Sequence, residues 1–128
     1  MKSEVIYSDD LHFEHRHWQG ELAFWQDELK SFKNRLEELS NRWTDENVLA
    51  QLEHFQNQFI RHGEVIDTLE HEINVHETDL ANHSKKDEEV MDRELTKGHF
   101  EFRQRMEMQR KIYAELKEEF FRFLSKYM

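Results

Sequence analysis

Nine histidines are spread through 128 residues, and five of them (His15, His62, His76, His83 and His99) fall where a helical bundle carries apolar residues. Burying an imidazole without a partner costs free energy, so several histidines facing one core need a reason. The chemistry they offer is metal ligation or proton binding. Carboxylates accompany them at helical spacing. His12 and His15 are three residues apart and Glu72 and His76 four apart, so each pair shares one helix face.

Helices must position these groups. The chain has no proline and only three glycines, with 36% charged and 37% hydrophobic residues. A composition rich in Glu, Leu, Lys, Arg and Gln belongs to long helices rather than to a sheet. Its length allows one domain, residues 1–128, with a modest core. Aromatic residues supply enough apolar area to argue against disorder. The apolar pattern predicts helices over approximately 9–40, 45–82 and 86–127.

Each predicted helix carries a seam of alternating four- and three-residue steps. The first is Leu11, His15, Trp18, Leu22, Trp25, Leu29, Phe32, Leu36 and Leu39. The second runs Val48, Leu52, Phe55, Phe59, His62, Ile66, Leu69, Ile73, His76, Leu80 and His83. The third is Leu95, His99, Phe102, Met106, Gln109, Tyr113, Leu116, Phe120, Phe123 and Tyr127, with a phase change expected before Leu95, near Val90 and Met91. Ser8-Asp9-Asp10 opens the first helix, Thr44 is the expected cap of the second, and Ser84 with Asp87 suggests a capping box for the third. Short turns make neighbours antiparallel. The predicted fold is therefore all-α, an antiparallel up-down bundle of three long helices with coiled-coil-like packing.

Folding the seams back about the turns puts Trp18 level with Leu69 and His99, Trp25 with His62 and Met106, and Phe32 with Phe55 and Tyr113. The same register places His76 near Leu11, His12 and Asp92, and His15 near Glu72 and Leu95. The apolar end holds the first turn, and the histidine end lies opposite. The expected metal shell is His12, His15 and His76 with Asp92 or Glu72, and a carboxylate outside the shell would orient an imidazole. Nitrogen and carboxylate oxygen suit iron, zinc, manganese or copper, whereas the absence of cysteine excludes thiolate sites and disulfides. Glu14 and His17 form a Glu-x-x-His pair, the spacing of di-iron carboxylate bundles. In placing His and acidic residues within a helical bundle, the chain is similar to hemerythrin-like and ferritin-like proteins. It lacks their paired motifs on successive helices and has three long helices rather than four.

His62, mid-bundle, is expected to bond Gln109 or Glu107, and His17 to face water. His83 sits at a turn. Gly63 follows His62 and Gly98 precedes His99, positions that would make room for a ligand or a close helix contact. Arg103, Arg105, Arg110 and Lys111 read as a solvated helix face. The net charge of −10 disfavours nucleic acid or an anionic membrane as partner. No apolar run reaches the length of a signal peptide or membrane span, so a cytoplasmic location is expected. Surplus apolar residues (Ile112, Phe121 and Leu124 on the third helix, Phe13 and Phe24 on the first) suggest a homodimer formed largely through helix three.

The functional expectation is a metal-binding helical bundle: a sensor, a store or a small oxidase. The alternative is a structural or adaptor protein acting through self-association and partner binding, its seam histidines structural or pH-responsive. No phosphate loop, nucleophile elbow or paired-carboxylate cleft is recognisable, which argues against metal-free catalysis.

Overall fold

Three amphipathic seams can be buried together only if the helices lie side by side, and the chain does this. The computed structural model describes residues 8–84 and 93–127. Helix α1 is Ser8–Arg42, α2 is Glu46–Ser84 and α3 is Arg93–Tyr127. They pack as an all-α bundle with α2 antiparallel to its neighbours. The 39 residues of α2 give it a length of ~58 Å at 1.5 Å per residue.

Nearly every seam residue is buried. Trp18, Leu22, Leu39, Phe59, Ile66, Ile73, Met106 and Phe120 are all at most 2% exposed, and the core runs continuously between them. His76 and Leu95, nearer the histidine end, are only half-buried. Toward the first turn the core is aromatic. Phe120 meets Phe59 edge-on at 4.9 Å and also touches Phe32 and Phe55, the tilted geometries that ring quadrupoles favour.

The first turn is capped one residue later than the sequence suggests. Asp45, not Thr44, accepts from the backbone N–H of Asn47 at 2.8 Å and of Val48 at 3.3 Å. Either residue type suits the position, and the chain path selects the carboxylate. Trp43 seals this end, its indole N–H donating to the Tyr127 carbonyl at 3.2 Å. The expected capping box and phase change of the third helix lie outside the described residues.

The relative height of the helices differs from the fold-back expectation. Trp18 does stack on His99 at 5.0 Å. Trp25, however, meets Tyr113, and Phe32 meets Phe59 and Phe120. Hydrogen-bonded partners on α1 and α3 lie 84 to 89 positions apart. The contacts that fix the height are those that do not repeat by heptads, His15 with His99 and Glu77 and His62 with Gln109, and a ladder of ion pairs runs beside the seam. Glu14 pairs with Arg103, Glu21 with Arg110 and Glu28 with Lys117, each step one heptad along both helices. The basic residues of α3 are therefore not simply solvated: Arg103 and Arg110 bind α1, and Arg105 binds Glu72 of α2.

Of the surplus apolar residues, Leu124 packs against the core. Phe121 lies edge-on to Phe32, and Lys117 sits over the Phe24 ring. Phe13, Phe24, Met108, Ile112 and Phe121 nevertheless remain exposed, Phe13 to 76%. Among the described residues, no helix is long and apolar enough to cross a membrane.

Candidate functional site: a buried histidine pair

His15 comes from a seam position on α1 and His99 from one on α3, so the bundle points both rings inward. They are 3% and 2% exposed. His15 Nε2 lies 3.2 Å from His99 Nδ1, with ring centroids 5.2 Å apart. The outer nitrogens face carboxylates: His15 Nδ1 is 2.7 Å from Glu77 Oε1, and His99 Nε2 is 2.6 Å from Glu14 Oε1. Arg103 donates to both oxygens of Glu14, at 2.7 and 3.1 Å. Glu77 also bridges to His12. The indole of Trp18 walls the pair, 5.8 Å from His15 and stacked on His99.

Counting protons along this chain shows what it lacks. Ionised carboxylates only accept, and a neutral imidazole has one N–H. The links from Glu77 to His15 and from His99 to Glu14 each require that N–H to point at the carboxylate. Both protons are then used. His15 Nε2 and His99 Nδ1 are left facing each other as bare lone pairs, and the arrangement is one cation short. Burial pushes both imidazoles below the usual histidine range, and the offsetting pull of Glu77 on His15 and of Glu14 on His99 does not reverse this. Burial acts to raise the Glu14 pKa, but its bonds from Arg103 and His99 hold it below the usual carboxylate value.

The separation also suits an ion. Two imidazole nitrogens bound at ~2.05 Å to one tetrahedral ion lie roughly 3.4 Å apart. Ligating histidines characteristically donate their other nitrogen to a carboxylate, which fixes tautomer and ring orientation. Glu77 and Glu14 occupy those places.

The expected shell of His12, His15, His76, Glu72 and Asp92 is not gathered as the sequence register had it. His15 is in the cluster, but its carboxylate is Glu77 rather than Glu72. Glu72 turns to Arg105, whose guanidinium holds it below the usual carboxylate range. His12 is half-exposed and reaches Glu77 from outside. The His76 ring is 6.3 Å from that of His15 and 5.8 Å from that of Phe102. Asp92 lies outside the described residues, as does the side chain of His83. Among the described residues no three His, Asp or Glu side chains are already grouped to hold an ion. Glu14 serves His99 and Arg103, while His17 is exposed, so the Glu-x-x-His spacing does not act as a unit.

Sequence reading missed Glu14, Glu77, His99 and Arg103 as cooperating groups. A partial signal existed: the heptad recurrence of Glu14, Glu21 and Glu28 on α1 and of Arg103, Arg110 and Lys117 on α3 marks the faces that meet, though not their height.

A second polar layer lies mid-bundle. Gln109 Nε2 donates to His62 Nδ1 at 3.0 Å, as the sequence suggested. Burial and the charge of Arg61 push the His62 pKa down. Tyr113 beside it donates to Glu28 at 3.0 Å, and burial together with that carboxylate holds the phenol well above its ordinary value. Among the described residues, no fully buried side-chain nitrogen or oxygen of this layer lacks a hydrogen-bond partner. Compared with protein-family models, curated proteins and solved structures, the chain matches none.

Proposed function

We propose that this protein is a metal-binding helical bundle, a sensor or store, in which one transition-metal ion sits between His15 Nε2 and His99 Nδ1. The observation that carries the reading is the facing pair of imidazole nitrogens, 3.2 Å apart, with both outer nitrogens held by carboxylates. Neutral imidazoles without thiolate suit zinc, copper or iron better than a hard cation such as magnesium. Glu14 and Glu77 act as orienting partners and Arg103 balances Glu14.

The test is metal analysis and zinc titration of the untagged full chain. About one equivalent per chain is expected, with protons released wherever the ligands are still protonated. Less than about a tenth of an equivalent after growth with added iron, zinc, copper and manganese, together with no heat of zinc binding, would reject the reading.

A second reading, self-association through α3, is favoured by the exposure of Met108, Ile112 and Phe121. It is compatible with metal binding. Light scattering at tens of micromolar is expected to give a dimer, and a monomer mass would end it.

A further inference from the structure

The His15–His99 pair joins α1 to α3, and a third histidine stands beside it on α2. His76 is half-buried, 6.3 Å from His15 between ring centroids, and has no hydrogen bond among the described residues. Its Cε1 lies only 3.2 Å from the point where a Cβ on residue 98 would be. Residue 98 is glycine, the immediate neighbour of His99. The glycine is what lets the His76 ring rest so near the α3 backbone.

We propose that His76 closes on the pair as a third ligand, and that Gly98 is the positioning residue that permits its approach; this rests on the metal reading above. Two imidazoles on one tetrahedral ion have centroids roughly 5.3 Å apart. The His15–His99 pair already matches that separation at 5.2 Å, and the His76 ring stands about 1 Å beyond it from His15. Among the described residues its ring is held by packing against Phe102, 5.8 Å away between centroids, and by no hydrogen bond. The completed site takes one imidazole from each helix. Three neutral nitrogens and one open position define a site for a zinc-class divalent ion that keeps a water or small anion as fourth ligand. The ion then ties α1, α2 and α3 together at the histidine end.

The experiment is Co2+ titration of the untagged full chain, followed by its visible absorption, for wild type, His76→Ala and Gly98→Ala. Alanine is the better helix former, so Gly98→Ala keeps or raises helicity, and circular dichroism checks that both variants fold. Its methyl would stand 3.2 Å from His76 Cε1, so the ring must give way by a few tenths of an ångström. Expected results are a four-coordinate cobalt spectrum for wild type and loss of that spectrum in His76→Ala. Affinity is expected to fall about 10- to 100-fold in His76→Ala and about tenfold in Gly98→Ala. Wild-type spectrum and affinity in His76→Ala would overturn the third ligand while leaving the pair intact. Loss in His76→Ala but not in Gly98→Ala would remove Gly98 from the account. No cobalt uptake by wild type would reject the underlying metal reading itself.

Discussion

Replacing His99 by leucine is expected to abolish metal uptake and to lower the folding free energy by about 2–4 kcal/mol. The cost arises from what is left behind. Glu14 loses its imidazole partner and keeps only Arg103, and Trp18 loses its stacked neighbour. His15→Leu orphans Glu77 on the other side. Because each ring sets a bare nitrogen against the other, removing either one relieves the same contact, so the double variant His15→Leu/His99→Leu is expected to cost more than the two singles together, by about 1 kcal/mol. Urea denaturation of the four metal-free proteins measures this coupling. Additivity within about 0.5 kcal/mol would mean that the two rings do not form a unit.

The second large effect is on pH. Histidine in an unfolded chain titrates near ~6.5. His15, His62 and His99 are all held below that by burial, with Glu77 and Glu14 offsetting part of the effect at His15 and His99 and Arg61 adding to it at His62. As pH falls through ~6.5 the unfolded chain takes up protons that the folded chain does not, so stability falls with pH. The loss begins near the unfolded value and ends only when the lowered folded values are passed. Each unit of difference at one histidine is worth ~1.4 kcal/mol, and each kcal/mol corresponds to about 3–5 °C in the melting temperature of a domain this size. Metal-free protein is therefore expected to melt several degrees lower at pH 5.5 than at pH 7.5, and a flat profile would refute the burial argument. A further loss is expected in the carboxylate range, where the lowered pKa of Glu14 makes its protonation favour the unfolded chain.

Both results bear on why the bundle retains polar groups in its seam. An apolar side chain at position 15 or 99 would pack in either of two neighbouring heptad registers, whereas a histidine bonded to Glu77 or Glu14 fits only one. The same holds for His62 with Gln109. A polar layer that is satisfied in a single register specifies how the helices slide past each other. In this chain the register and the candidate cation site are two consequences of the same hydrogen bonds.

What the sequence by itself determined is the periodicity. Absence of proline, dense helix formers and unbroken four-three spacing require three long helices, and burial follows the seams almost residue for residue, including His15, His62, His99 and Gln109. Local spacing also identified the end where histidines and acids gather. Tertiary structure alone decided the height of one helix against another. A heptad pattern matches itself after a seven-residue slide, so apolar layers cannot select between registers. The pairs that fit a single height do not repeat by heptads and lie far apart in sequence: His15 with Glu77 and with His99, and His62 with Gln109. That choice separated Glu72 from the cluster, gave it to Arg105, and set His99 against His15. The ligand types were legible because chemistry is carried by single residues, and the ligand set was not, because it depends on axial offsets that no single helix encodes.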